Sequence, residues 1–278
     1  VIKNLTKLKV ISRLGVGTDN IDLDYAYTKG IKIFTTKTRP SEAVAELVLA
    51  LILNFLRRKI INLACDVLNI KGWSGKKHWK LFQEVFSRKK KFKELAILGV
   101  YHGKDLSYIC SSLKKNNVKD FKIYAVDLFE NVAMADWGPE NQHLNWNDIK
   151  IEPPSLKKAK SIIKLLGFSK NIIFIKGDFK KLADYKPKLD FFYIDLSHDY
   201  KTTYDSIELC VKFSDDETIM MGDDYGDGGF LGQPWGVKKA VSDKFKDFKI
   251  HYNLFWESNK KNLKIIPTKK DKLKNFTY

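Results

Sequence analysis

The chain has 278 residues, 44% of them hydrophobic and 30% charged, with seven prolines. That composition excludes collagen, coiled coil and a disordered tail, and leaves room for one large domain or two modest ones. The net charge of +17 invites a nucleic-acid reading, but only Arg13, Arg39, Arg57, Arg58 and Arg88 carry the rigid fork that suits base and phosphate recognition. A lysine-rich solvated surface is expected, without a specific nucleic-acid partner. The longest strongly apolar run, Leu47 to Leu53, is far short of the roughly 18–20 residues that span a bilayer. Cys65, Cys110 and Cys210 lie far apart, with no zinc spacing and an odd count, which points to a reducing, cytoplasmic setting. No signal-peptide pattern opens the chain, and the missing initiator Met points to a truncated start.

The first sixty residues read as strand, helix, strand, helix. Leu8 to Ile11 is a short apolar run stopped by Gly15 and Gly17, Asp22 to Thr28 is helical, and Ile31 to Phe34 is a second run closed by Arg39-Pro40. Ser41 then caps a helix over 42–60, in which Val44, Leu47, Val48, Leu51, Ile52 and Phe55 recur at three and four. Its apolar face is open to pairing with a second subunit. Two segments, Ile11 to Asp22 with its Gly15-Val16-Gly17, and Ser41 to Leu47, resemble a piece of a D-isomer 2-hydroxyacid dehydrogenase of the phosphoglycerate dehydrogenase kind. The resemblance implies a glycine backbone that approaches a substrate carboxylate and a long helix leading into a dinucleotide domain. No GxGxxG opens a βαβ unit downstream, and no counterpart of that family's later Arg, Glu and His segments is found. The reading for 1–62 is therefore a fused or relic α/β segment, with an NAD-dependent 2-hydroxyacid dehydrogenase as the alternative.

After residue 66 the chain alternates strand and helix patterns. A short helix covers 78–86 and a basic linker follows at Arg88 to Lys91. Strands are expected at 94–98, 121–126, 171–175, 190–194, 217–221, 248–254 and 262–266, with helices at 104–116, 155–166, 200–213 and 236–246. Such alternation predicts an α/β fold with a seven-stranded, mostly parallel sheet and helices on both faces. The domain is expected over 66–268, with a basic tail at 269–278.

In open sheets of this kind ligands sit beyond the carboxyl ends of the strands. The first strand runs into Gly99-Val100-Tyr101-His102-Gly103, and the second ends at Asp127. The third leads through Gly177 to Asp178, the fourth ends at Asp195 followed by Ser197, His198 and Asp199, and the fifth ends at Asp223-Asp224. Helix capping and turn chemistry account for any one of these acids, and poorly for a run of them converging on one edge.

These motifs, taken in order over residues 66–256, resemble a class I S-adenosylmethionine-dependent methyltransferase, near the sugar O-methyltransferase branch of the macrocin O-methyltransferase kind. The resemblance implies a Rossmann-like fold and methyl transfer from S-adenosyl-L-methionine to a hydroxyl of a small polar acceptor, such as a sugar. It implies Gly99, Tyr101 and Gly103 around the methionine portion, Asp127 on the ribose, and Asp178 on the adenine amine. It also implies Mg2+ on Asp195, Asp223 and Asp224. Two positions depart from the family pattern. Ile97 stands where an acid usually precedes the first glycine by two residues, and Ser197 stands where some relatives have a basic carboxylate. His198 is the preferred general base, with Asp199 as the alternative. A non-catalytic cofactor-binding module is a third reading. The long connection from Leu128 to Ser155, with Met134, Asp136, Trp137, His143 and Trp146, suits recognition of a polar, ring-shaped acceptor.

Overall fold

The computed structural model describes residues 7–13, 17–35, 48, 70–88 and 91–264. The chain divides into two units, Val1–Ile60 and Ile61–Tyr278. In the first, β1 (Val10–Arg13) and β2 (Lys32–Thr35) pair in parallel, Val10 opposite Lys32, around α1 (Leu23–Thr28). Asp22 caps α1 by accepting the Tyr25 N–H at 3.1 Å. The expected helix over 42–60 and the tail at 269–278 lie outside the described residues, apart from Val48, as does Gly15-Val16.

The second unit opens with α2 (Lys76–Arg88) and continues through β3 (Glu94–Leu98), α3 (Lys104–Lys115), β4 (Lys122–Asp127), α4 (Leu156–Leu166) and β5 (Ile172–Lys176). There follow β6 (Leu189–Ile194), α5 (Tyr200–Lys212), β7 (Ser214–Gly222), the small hairpin β8 (Gly229–Phe230) and β9 (Gln233–Pro234), α6 (Val237–Lys244), β10 (Lys249–His251) and β11 (Phe255–Ser258). The large sheet has the order β10-β11-β7-β6-β3-β4-β5. Strands β3 to β7 are parallel, and β11 runs antiparallel to both β7 and β10. This is the seven-stranded, mostly parallel sheet that the alternation predicts.

Side chains alternate between the two faces with the period of a strand. Leu95, Ile97, Ile123, Ala125, Phe191 and Tyr193 pack on one side with Phe82 and Val85 of α2, Leu106 and Ile109 of α3, and Ile163 of α4. Ala96, Leu98, Tyr124, Val126, Phe192 and Ile194 pack on the other with Ile207 of α5 and Val241 of α6. Both faces are covered, which is why these strands read as near-continuous apolar runs.

The last strands differ from expectation. The run at 248–254 stops at His251, where Tyr252 and Asn253 turn at φ of 55° each, and β11 returns over Phe255–Ser258. The reversal sends Phe255 into one core face and Trp256 into the other. No strand forms at 262–264: Lys260–Asn262 is a 3-10 turn, and Leu263 makes a single bridge to Phe245. Among the described residues, no helix is long and apolar enough to cross a membrane.

Where β3 ends, the Gly99 N–H donates to the Val126 carbonyl at 2.9 Å, and the Asp195 N–H donates to the Leu98 carbonyl at 2.7 Å. Gly99 has φ 94°, and a Cβ there would stand 1.6 Å from the Asp195 carbonyl oxygen. Gly99→Ala is therefore expected to cost roughly 3 kcal/mol or more, because both backbone conformation and close packing must give. Urea unfolding checks this, and wild-type stability in the variant would contradict the close approach.

Candidate active site

The carboxyl ends of β3, β4, β6 and β7 open on a cavity of about 510 Å³. Its lining takes Gly99 and Tyr101 from the turn after β3, Asp127 from β4, Asp178 from beyond β5, Asp195 and His198 from beyond β6, and Asp223 and Asp224 from beyond β7.

Asp127 shapes the turn. Its Oδ2 accepts the N–H groups of Val100 at 2.8 Å and Tyr101 at 2.9 Å, and its Oδ1 accepts that of Phe129 at 2.7 Å. A carboxylate offers about four acceptor sites, so these three bonds leave one unused. Burial pushes this carboxyl upward in pKa, against the three amides that favour its charge. Tyr101, at φ 51°, donates its hydroxyl to the Glu152 carbonyl at 2.6 Å. Asp178 lines the cavity while capping a 3-10 turn through the Lys180 N–H at 2.8 Å. Gly103 starts α3 at φ 89° with Ala159 3.5 Å from where its Cβ would be, and it is not part of the cavity lining.

The acids beyond β6 and β7 divide differently from the expected trio. Asp195, His198 and Asp224 offer ligand atoms within 4.8 Å of one another. Asp223 turns inward instead: its Oδ2 accepts from His78 Nε2 at 2.7 Å and from the Tyr193 hydroxyl at 2.9 Å, and its Oδ1 accepts the Asp224 N–H at 2.8 Å. Those three donors tie Asp223 to His78, Tyr193 and the adjoining backbone, and it is not grouped with Asp195, His198 and Asp224. Asp199 is likewise occupied. It caps α5 through the Thr202 N–H at 2.8 Å, lies 3.0 Å from the Ser197 hydroxyl, and does not line the cavity.

His198 is held at both ring nitrogens, Nδ1 2.6 Å from Asp136 Oδ2 and Nε2 2.7 Å from Asp224 Oδ2. Two carboxylates facing two nitrogens require two N–H donors, which is the imidazolium. Burial opposes that charge, but the hydrogen bonds to Asp136 and Asp224 outweigh it and raise the pKa to about 10. Burial also pushes Asp195 well up, helped by the carboxylates of Asp223, Asp224 and Asp105. Asp136 is held below the usual carboxylate range: burial works against its charge, and His198 more than compensates.

Several site residues were not singled out from sequence. Asp136 belonged to the long connection, and nothing in its spacing pairs it with His198, 62 residues away. Ser74, His78 and Asp105 also line the cavity. Burial raises the Asp105 pKa to about 6. His78 reads in sequence as one more position on an amphipathic helix. The connection supplies an aromatic wall, with Trp146 centred 5.2 Å from Trp137 and 6.1 Å from Tyr101, and Trp73 5.1 Å from Tyr101. Trp235 faces His198 at 4.9 Å.

Comparison with known proteins gives two kinds of likeness. The model of the D-isomer specific 2-hydroxyacid dehydrogenase catalytic domain matches residues 1–263, and the chain belongs to that family. The D-3-phosphoglycerate dehydrogenase of Methanocaldococcus jannaschii is 49% identical over 53 residues, 19% of this chain and 10% of that protein. The chain thus spans about a tenth of that relative's length. Among solved structures, the O-methyltransferase NovP superposes with a TM-score of 0.53 at 15% identity, covering 76% of this chain and 99% of that one. Cofactor-bound Rv0187 from MTB superposes with a TM-score of 0.51 at 9% identity, covering 81% and 98%. The fold of the larger unit is the Rossmann-like fold of class I methyltransferases.

The clamp on His198 makes a pH-dependent prediction. A pKa raised from 6.5 to about 10 contributes stability that is full below pH 6.5 and is lost as pH rises through about 10. Asp136→Asn removes one charged partner, so the His198 pKa should fall and stability near pH 8 should drop by about 2 kcal/mol. Imidazole NMR titration with urea unfolding at pH 6 and pH 8 checks both. An unmoved titration would show that Asp136 does not hold the charge.

Proposed function

We propose that the larger unit transfers a methyl group from S-adenosyl-L-methionine to a hydroxyl of a small polar acceptor, such as a sugar or glycan precursor, with Mg2+ assisting. The observation that carries this reading is the convergence on one 510 Å³ cavity of a glycine turn, strand-end acids and a doubly clamped histidine. A volume of this order suits a nucleoside cofactor beside a small acceptor. Gly99 and Tyr101 flank the methionine portion, the open acceptor site of Asp127 takes the ribose, and Asp178 takes the adenine amine. The bound cofactor supplies an electrophilic methyl group, so the chain is left with placement and the removal of one proton. Trp73, Tyr101, Trp137 and Trp146 form the apolar wall against which a ring-shaped acceptor packs.

The donor set at the edge of the cavity fits a divalent cation, since two carboxylates and an imidazole lie within 4.8 Å of one another. Mg2+ prefers oxygen, so Asp195 and Asp224 would hold it, and it would lower the pKa of the acceptor hydroxyl. With Asp224 holding the cation, His198 would lose one of the two carboxylates that keep it charged and would give up its Nε2 proton to solvent. The freed Nε2 would then accept the hydroxyl proton while Nδ1 stays on Asp136. The smaller unit is read as an appendage. Family membership over residues 1–263 favours a second reading, NAD-dependent oxidation of a 2-hydroxyacid.

Calorimetric titration of the chain with S-adenosylhomocysteine, with and without Mg2+, beside NADH separates the readings. Saturable binding of S-adenosylhomocysteine alone supports methyl transfer, whereas binding of NADH alone would replace it with the dehydrogenase. Asp224→Asn should weaken Mg2+ at least roughly tenfold while leaving S-adenosylhomocysteine affinity intact. Equal Mg2+ binding in the variant would remove the cation from this site.

A further inference from the structure

His78 lies buried in the first turn of α2, and its ring is fixed on three sides. Nδ1 accepts the Gly75 N–H at 3.2 Å, Phe255 packs edge-on with ring centres 4.7 Å apart, and Nε2 faces Asp223 Oδ2 at 2.7 Å. With Nδ1 taken as an acceptor, the ring proton sits on Nε2 and is donated to Asp223. The Tyr193 hydroxyl donates to the same oxygen at 2.9 Å, so one donor from α2 and one from β6 fix the plane of a buried carboxylate. Its other oxygen accepts the Asp224 N–H at 2.8 Å. Asp224 is at φ 55°, in the left-handed region, which a residue with a side chain occupies at a cost and keeps only where neighbouring bonds hold it. From that setting its Oδ2 lies 2.7 Å from His198 Nε2, and its carboxylate groups with that of Asp195.

We infer that His78 is a positioning residue for the pair of carboxylates that would hold the cation: by donating its Nε2 proton to Asp223, it keeps Asp224 in the backbone setting that places the Asp224 carboxylate beside Asp195. The inference rests on the Mg2+ reading above. Without the imidazole donor, Asp223 Oδ2 keeps only the Tyr193 hydroxyl, and a buried carboxylate short of a charged hydrogen bond gains by rotating toward water in the cavity. That rotation takes Oδ1 away from the Asp224 N–H, and the left-handed residue loses its support. Helix α2 thus governs a site to which it contributes no ligand, as outer partners of metal ligands do elsewhere.

The test is calorimetric titration of the full chain with MgCl2, and separately with S-adenosylhomocysteine. His78→Leu, which keeps the bulk of the side chain but has no donor, should weaken Mg2+ binding roughly 10- to 100-fold, the span seen when an outer partner of a metal ligand is lost. His78→Gln presents an amide N–H at about the reach of the imidazole Nε2 and should recover most of that affinity. Tyr193→Phe, a milder change should His78→Leu unfold, removes the other donor to the same oxygen and should weaken Mg2+ in the same direction but less. S-adenosylhomocysteine affinity should stay at the wild-type value in all three. Wild-type Mg2+ affinity in both His78→Leu and Tyr193→Phe overturns the inference. So does a loss in His78→Gln as large as in His78→Leu, which would make the ring rather than its proton the cause, and so does a parallel loss of both ligands, which would mark a general disruption of the cavity. Failure of Mg2+ to bind the wild type is a separate result: it overturns the cation reading, and this inference with it, while S-adenosylhomocysteine binding still decides methyl transfer.

Discussion

Everything at the carboxyl edge of the large sheet depends on the absence of a side chain at Gly99. The chain leaves β3 directly against the carbonyl of Asp195, at a distance that no Cβ tolerates. Because it passes there, the next two amides reach the carboxylate of Asp127, and the ends of β3, β4 and β6 become one rigid assembly. The start of α3, and with it Asp105, is placed by the same turn. A strand-to-helix turn of this kind is held by charge-assisted hydrogen bonds rather than by apolar packing.

The second organising feature is charge. The chain carries +17 overall, yet its cavity is lined by Asp105, Asp127, Asp136, Asp178, Asp195, Asp223 and Asp224. Burial, helped by neighbouring carboxylates, raises the pKa of Asp105 and Asp195, whereas His198 holds that of Asp136 low. Part of the charge is met internally by His198 between Asp136 and Asp224. What remains suits a cationic ligand.

Sequence likeness and fold likeness differ in extent. Near-half identity to a dehydrogenase extends over 53 residues, while the methyltransferase fold covers about three quarters of the chain at identities where side chains have diverged almost completely. A fold hosts many chemistries, so the functional argument rests on the cavity and the groups that line it.

The sequence by itself determined the elements and their order. Apolar runs such as Leu95 to Leu98 and Phe191 to Ile194 follow from burial on both faces, and strand ends at Asp127, Asp195 and Asp223 were legible because turn chemistry interrupts those runs. The terminal hairpin was misread, since Phe255 and Trp256 serve opposite core faces and continue the apolar pattern across the turn at Tyr252-Asn253. Only the tertiary structure decided how the acids divide their work. Asp223 was indistinguishable from Asp224 in sequence until His78, 145 residues away, and Tyr193 turned it inward. Asp136 and Asp105 became site residues only when packing set them against His198 and Ser74. A carboxylate's role is set by which donors reach it, and donors that arrive from distant segments leave no periodicity to read.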